Sequence, residues 1–358
     1  MANIQLRNIT KTFGTHTALK DLSLEVADGE FFVLLGQTGA GKTTTLRVVA
    51  GLEKPDSGQV FINGQDVNDW GAAERDVALV LQQYSLYPRY TVRENLAFPL
   101  KSPIRKTPQA EIDAQIARVA KTLRIEHLLD RKTDRLSGGE MQRVSIGRAI
   151  VRKPRLFLMD EPLSALDAKL REVLRTELKS LQVNLGATFL FVTHDQVEAM
   201  SMGDKIGVLT DGRLVQVGTP YEIYNSPVNT FVARAVGSPP MNLIDGQVSG
   251  DAASAIGARL PLGAGKAGAG EGRPLLFGVR PEDLHLQSGA PVAARVQDIE
   301  NHGVEKIITL RVEDKFFHAT VPKQANLEVN EDVRFTWDPE KVIFFDASSG
   351  MNLAHSAA

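Results

Sequence analysis

The chain has 358 residues with 41 basic and 43 acidic side chains, a formal net charge of -2, and 43% hydrophobic residues, the composition of an ordinary globular protein long enough for two domains. That balance offers no strong field to attract nucleic acid or an anionic membrane. The absence of cysteine excludes disulfides. The start Met1-Ala2-Asn3-Ile4 lacks the apolar core of a signal peptide, so cytosol is the expected compartment. Apolar runs such as Phe31–Leu35 fall far short of the ~18 residues a membrane helix needs.

The first element that carries chemistry is the buried-strand pattern Phe31-Phe32-Val33-Leu34-Leu35, followed at once by Gly36-Gln37-Thr38-Gly39-Ala40-Gly41-Lys42-Thr43. Three glycines let the backbone curl around a triphosphate and aim N–H groups at it from a helix N-terminus near Lys42. Lys42 then supplies a point charge for the β- and γ-phosphates, and the Thr43 hydroxyl is placed to ligate Mg²⁺. The alternative, a Gly-rich turn between strand and helix, explains neither the lysine nor the threonine.

Further along, Ile112, Ile116, Val119 and Leu123 recur at helical spacing, as do Leu170, Leu174, Leu178, Leu181 and Leu185 before Gly186. Both stripes are expected to be core faces. Between them, Leu136-Ser137-Gly138-Gly139-Glu140 runs into a helical segment and has the makings of a second anion site, or only of a helix cap. Arg155-Leu156-Phe157-Leu158-Met159-Asp160-Glu161-Pro162 is a buried strand ending in two carboxylates. Asp160 is placed to hold a Mg²⁺ shell and Glu161 to deprotonate the water that attacks the γ-phosphate, with alternation along the strand sending them to opposite sides. Thr188 to Thr193 is a further strand, with His194 after it.

Short β-rich runs alternating with helical stripes make residues 1–235 an α/β domain. Near Gly237-Ser238-Pro239-Pro240 the texture changes, and residues 249–273, loaded with Gly and Ala, are expected to be a linker or long loops. Beyond them Leu275–Val279, Lys306–Leu310 and Val342–Phe345 are strand-like and imply a small β-rich domain over 236–358. It contains no recognisable nucleophile, metal cluster or phosphate loop.

Taken with the loop and the carboxylate pair, Leu136 to Glu140 is similar to the signature motif of the ATP-binding cassette family, and residues 1–235 resemble that family throughout. The resemblance implies a phosphate-loop cassette with a helical subdomain at about 84–155 and ATP and Mg²⁺ as cofactors. It implies catalytic roles for Glu161, the switch residue His194 and the loop glutamine Gln82, and a metal site of Thr43, Gln82 and Asp160. ATP contacts are implied at Phe13, stacked on adenine, at Gly36, Gln37, Thr38, Gly39, Ala40, Gly41, Lys42, Thr43 and Thr44, and across a dimer seam at Ser137, Gly138, Gly139, Glu140 and Asp167. Two departures stand out: Phe13 where many relatives have Tyr, and Glu140 where the commonest signature has Gln.

Tyr84-Ser85-Leu86-Tyr87-Pro88 resembles the surface on which importer cassettes receive their membrane subunits. Phe231-Val232-Ala233, Gly237–Asn242 and Gly278-Val279-Arg280-Pro281-Glu282 resemble the carbohydrate importer subfamily, whose C-terminal extension is an OB-like, TOBE-type regulatory and dimerisation domain. The implied assembly is a homodimer on the cytoplasmic face of the inner membrane, bound to two permeases and served indirectly by a solute-binding protein, with no nucleic acid partner. An added role as a regulatory binding module and a non-carbohydrate solute remain open. The separation of Lys42 from Ser137 is too short for the coiled-coil arm of a repair ATPase, and a single cassette argues against a translation factor.

Overall fold

The computed structural model describes residues 3–81, 84–101, 107–154, 156–263 and 270–355. It divides into two compact units, residues 1–220 and 221–358.

The first unit contains strands β1 (Ile4–Phe13), β2 (His16–Val26), β3 (Phe31–Leu35), β4 (Ser57–Ile62), β5 (Gln65–Asp66), β6 (Ala78–Val80), β7 (Leu156–Asp160), β8 (Thr188–Thr193), β9 (Lys205–Thr210) and β10 (Arg213–Gly218). Its helices are α1 (Lys42–Ala50), α2 (Val92–Ala97), α3 (Gln109–Thr122), α4 (Gly138–Ile150), α5 (Ala168–Leu185) and α6 (Gln196–Met202). One sheet has the order β2-β1-β4-β5 and the other β10-β9-β3-β8-β7-β6. In the larger sheet β3, β6, β7, β8 and β9 run parallel. Every residue of β3, β7 and β8 is buried, which is why these segments read as continuous apolar runs: a parallel sheet covered on both faces has no polar side. Phe31 and Phe157 both stack on Phe189, with ring centroids 5.0 and 4.5 Å apart.

The register decides the site. Leu35 lies beside Thr193, and Asp160 beside Val192, so the residues that leave β3, β7 and β8 emerge together at the carboxyl edge of the sheet. That edge is where open α/β sheets bind ligands.

Helices α2, α3 and α4 fall between β6 and β7. The stripe on α3 is buried at Ile112, Ile116 and Val119, with Leu123 buried at its C-cap. On α5 the expected leucine face is only partly right, because the buried line is Leu174, Leu178 and Gln182, while Leu185 is 37% exposed. Gln182 takes the inner position because its amide donates to the carbonyl of Gly29, which a leucine cannot do.

The second unit contains α7 (Pro220–Asn225), α8 (Thr230–Ala235) and strands β11 (Asn242–Ser249), β12 (Ala252–Ala255), β13 (Ala258–Pro261), β14 (Leu275–Val279), β15 (Leu284–Leu286), β16 (Val292–Asn301), β17 (Glu305–Val312), β18 (Lys315–Pro322), β19 (Asp332–Trp337) and β20 (Ile343–Asp346). They form two antiparallel sheets, β13-β12-β11-β14-β20 and β15-β19-β16-β17-β18, around one core that includes Phe277, Phe335 and Trp337.

Residues 221–235 pack with the second unit: the buried Arg280 guanidinium donates to the carbonyls of Tyr224, Ala233 and Val236 at 2.6, 3.1 and 2.5 Å and so ties α7 and α8 to β14. Asn352 adds bonds to the carbonyls of Pro227 and Val228. The Gly/Ala-rich stretch is not only linker: β12 and β13 pair as a hairpin, with the turn at Gly257 (φ +70°). Ala252, Ala253 and Ala255 are buried. Residues 264–269 of that stretch lie outside the described part.

Candidate functional site

The loop after β3 is held by contacts that only small residues allow. Gly41 caps α1 with φ +105°, and a Cβ there would lie 2.6 Å from the Ala18 carbonyl oxygen and 2.9 Å from Leu19 Cδ2. At Gly36 a Cβ would meet the Leu209 carbonyl oxygen at 2.4 Å. Lys42 is 4% exposed and its ammonium donates to the carbonyls of Gly36 and Gln37 at 2.8 and 3.0 Å. The same Nζ lies 3.4 Å from Glu161 Oε1.

Thr43 Oγ1 donates to Asp160 Oδ1 at 3.1 Å. Burial raises the Asp160 carboxyl above its ordinary value; the Thr43 bond opposes that and the Glu161 charge adds to it.

Glu161 leaves the end of β7 with φ +46°, a left-handed conformation that costs a non-glycine residue energy. Its backbone is pinned on both sides: its N–H donates to the Val192 carbonyl at 3.0 Å, and its carbonyl accepts from Ser164 N at 3.3 Å, Ser164 Oγ at 2.9 Å and Gln142 Nε2 at 3.4 Å. This left-handed turn, rather than strand alternation, separates the two carboxylates. Asp160 faces Thr43, and Glu161 reaches between Lys42 and His194, whose Nδ1 is 3.1 Å from Glu161 Oε2.

A cavity of about 300 Å³ joins the loop and Glu161 to the β1–β2 hairpin and is lined by residues including Phe13, Thr38, Gly39, Lys42, Thr43, Thr44 and Glu161, with Asp160 and His194 in contact with Thr43 and Glu161 but outside that lining. Phe13 is 43% exposed, with the Lys11 ammonium 5.2 Å from its ring centroid. The sequence reading missed His16 and Ala18 in this lining. The hairpin pairs His16 directly with Phe13, a relation that the turn residues Gly14 and Thr15 between them could have signalled.

Ser137, Gly138, Gly139, Glu140 and Asp167 do not line that cavity. Ser137 caps α4 in a reciprocal box: its hydroxyl accepts from Glu140 N at 3.3 Å and Glu140 Oε2 accepts from Ser137 N at 2.7 Å. That bond holds the Glu140 carboxyl below its ordinary pKa, and Arg131 lies 3.7 Å away. The glutamate is therefore a suitable cap residue, engaged within its own helix turn. Asp167 likewise caps α5 through Leu170 N at 2.9 Å. Gln82 lies outside the described residues, as does Arg155.

A glycine-rich loop opening a helix at the edge of a parallel sheet, with a lysine, a threonine, two carboxylates and a histidine converging on it, defines a phosphate-loop nucleotide-binding cassette. Residues 19–164 match the ABC transporter family, residues 237–284 the MalK OB fold domain and residues 277–345 the TOBE domain. The chain is 48% identical to the trehalose/maltose import ATP-binding protein MalK of Thermococcus litoralis, covering 98% of this chain and 99% of that protein. It is 46% identical to the sulfoquinovosyl glycerol transport ATP-binding protein SmoE of Agrobacterium fabrum, over 98% and 99%, and 41% identical to the trehalose import ATP-binding protein SugC of Mycobacterium tuberculosis, over 99% and 98%. Among solved structures, the dimeric post-hydrolysis state of an ATP-binding cassette bound to ADP and Pi superimposes with a TM-score of 0.57 at 32% identity, covering 61% of this chain and 98% of that one. The chain belongs to the ABC transporter family, among the ATP-binding subunits of importers, and is an ATPase coupled to transport.

Proposed function

We propose that this chain hydrolyses ATP to drive uptake of a sugar, polyol or glycoside, working as a head-to-tail homodimer beneath two separate permeases that a solute-binding protein supplies. The relatives, named for trehalose, maltose and sulfoquinovosyl glycerol, support the carbohydrate class. No helix among the described residues is long and apolar enough to cross a membrane; the peripheral place at the cytoplasmic face is supported by the import ATP-binding relatives.

The observation that carries the catalytic assignment is the chain of contacts Lys42–Glu161–His194. In this reading Phe13 stacks on the adenine, the loop N–H groups and Lys42 hold the β- and γ-phosphates, and the Glu161 carboxylate accepts a proton from the water that attacks the γ-phosphorus as the bond to the ADP oxygen breaks. His194 holds the γ-phosphate and the water in line. The pinned, left-handed Glu161 backbone keeps its carboxylate in place without reorganisation. Thr43 and Asp160 fit a Mg²⁺ site, being hard oxygen donors already in contact. Among the described residues no group of three or more His, Cys, Asp or Glu forms a metal cage. A Mg²⁺ ion would neutralise charge developing on the phosphate oxygens.

Ser137, Gly138 and Gly139 would complete the Lys42 site of the other copy, with Asp167 at the seam, and Gln82 would sense the metal or the water. The permease-facing surface is assigned to the segment after Gln82. Tyr84, Leu86 and Pro88 line a cavity of about 510 Å³ with Thr133, Asp134 and Met141, and a Cβ at Gly138 would lie 3.1 Å from the Tyr84 hydroxyl. A docked permease helix would thus press on the N-terminus of α4. The test is Glu161→Gln in the reconstituted transporter: ATP binding persists while turnover falls by about 10²–10⁴ and permeases still co-purify. Turnover at the unaltered rate removes Glu161 from the assigned role.

A further inference from the structure

Arg171 lies in the first turn of α5, four residues past its Asp167 cap. Its Nη2 donates to the Leu166 carbonyl at 3.1 Å. Its Nη1 lies 3.3 Å from Asp195 Oδ2, and its Nε lies 4.0 Å from Glu198 Oε1. Both acids belong to the turn that follows His194.

That turn is closed on itself. Thr193 Oγ1 donates to Glu198 Oε2 at 2.6 Å and accepts from Asp195 N at 2.9 Å. Asp195 Oδ1 accepts from the N–H groups of Val197 and Glu198 at 2.7 and 3.2 Å. Thr193 to Glu198, with His194 inside it, is therefore one cross-braced unit, and Arg171 fastens that unit to Leu166. The far side of Leu166 touches the signature helix: a Cβ at Gly139 would be 3.2 Å from Leu166 Cδ2. A planar guanidinium holds the carbonyl and the carboxylate with nitrogens fixed in one fork, a geometry that a lysine ammonium, one point donor on a flexible stem, does not reproduce at this site.

We infer that Arg171 is a positioning residue: it sets the His194 backbone relative to the loop Ser164–Asp167, so that movement of that loop by the signature helix or by a second copy is transmitted to the His194–Glu161 pair. The inference rests on the catalytic reading above and adds to it the connection between signature and switch. The competing account is that Arg171 merely neutralises Asp195 and the buried Glu198. Lysine satisfies that account and fails the positioning one.

The test uses the full chain. Arg171→Ala leaves Glu198 buried without its cation and risks the fold, so the informative variant is Arg171→Lys, compared with Asp195→Asn, which keeps a capping oxygen while losing the charge. For Arg171→Lys we expect an unchanged melting temperature, affinity for a fluorescent ATP analogue within about twofold, and kcat lowered by roughly ten- to a hundredfold, the cost of a small misplacement. Asp195→Asn should lower kcat in the same way, and the double variant should lose no more than the worse single one, because both remove one connection. Wild-type kcat in Arg171→Lys, multiplicative losses in the double variant, or loss of nucleotide affinity in step with kcat overturns the inference. Glu161→Gln assayed alongside separates the two ideas: full turnover there overturns the catalytic assignment, whereas full turnover by Arg171→Lys beside a slow Glu161→Gln overturns only the positioning role.

Discussion

Replacing Arg75 by methionine should destabilise the first unit by about 3 kcal/mol, and the reason lies in one buried guanidinium. Arg75 is 6% exposed and donates to the carbonyls of Val48, Val49, Val67 and Trp70 at 2.8, 2.9, 2.7 and 3.3 Å. Val48 and Val49 close the last turn of α1, where carbonyls lack helical partners and the helix end is negative. Hydrogen bonds from a charged donor contribute about 1.5–3 kcal/mol each. Two offsets apply. Burial lowers the Arg75 pKa, the mark of a desolvation cost that methionine does not incur, and Val48 and Val67 keep bonds from Gly51 N and Trp70 N. With Val48 and Val67 keeping other donors, the bonds to Val49 and Trp70 taken at the low end of that range give the ~3 kcal/mol above, equivalent to a fall in melting temperature of about 6–12 °C for a unit of this size. The chain has two tryptophans, Trp70 in the first unit and Trp337 in the second. A Trp337→Phe background therefore lets Trp70 fluorescence follow urea unfolding of the first unit alone, which a two-unit chain requires. A change below about 0.5 kcal/mol, the level of an ordinary surface substitution, would refute the reasoning and mean that these carbonyls are adequately solvated without Arg75.

Gly41→Ala should abolish ATP binding and lower the melting temperature, whereas Gly39→Ala, with φ +84° but no atom within 4 Å of the added Cβ, should be the milder of the two; equal effects in calorimetry and nucleotide titration would contradict the steric argument. Lys42→Ala should weaken nucleotide binding itself, and an unchanged dissociation constant would count against the loop assignment. Ser137→Ala should cost about 1 kcal/mol of stability by loss of the cap, read by denaturant titration, and should also slow turnover if the signature completes a second copy's site. Burial raises the Glu198 carboxyl above 4.5, so the folded state takes up its proton before the unfolded state does. Stability should then rise as pH falls through the folded pKa toward 4.5 and level off below it, relative to Glu198→Gln. Parallel pH profiles for the two proteins would refute that assignment.

Much of the first unit could be read from the chain because its signals are local. Phe31–Leu35, Gly36–Thr43, Ser137–Glu140 and Asp160–Glu161 each state their chemistry within a few consecutive residues, since a phosphate loop, a capping box and a buried parallel strand are made by neighbours. Glu140 shows both the reach and the limit of such reading: its place three residues after Ser137 marks a capping box in the sequence, but its approach to Arg131 required the fold. The α5 stripe went partly astray because periodicity counts apolar residues and misses a buried amide such as Gln182.

Contacts between residues far apart in the chain carried no such signal. His16 enters the cavity through a hairpin register, Arg75 reaches α1 from 26 and 27 residues away, and Arg280 draws α7 and α8 into the second unit from 44 to 56 residues along the chain. The Gly/Ala-rich stretch looked like linker because small residues lack a hydrophobic stripe, yet alanine packs closely in a sheet whose neighbours supply the bulk. The left-handed Glu161 is the sharpest case. Nothing in its own sequence favours that backbone; Val192, Ser164 and Gln142 hold it, and they meet only when β7, β8 and α4 come together. Residue order thus settled which chemical groups this ATPase has, because those groups are assembled by adjacent peptides. Folding settled how they face one another, because the strain and alignment at Glu161 and His194 are maintained by bonds from segments the chain itself keeps apart.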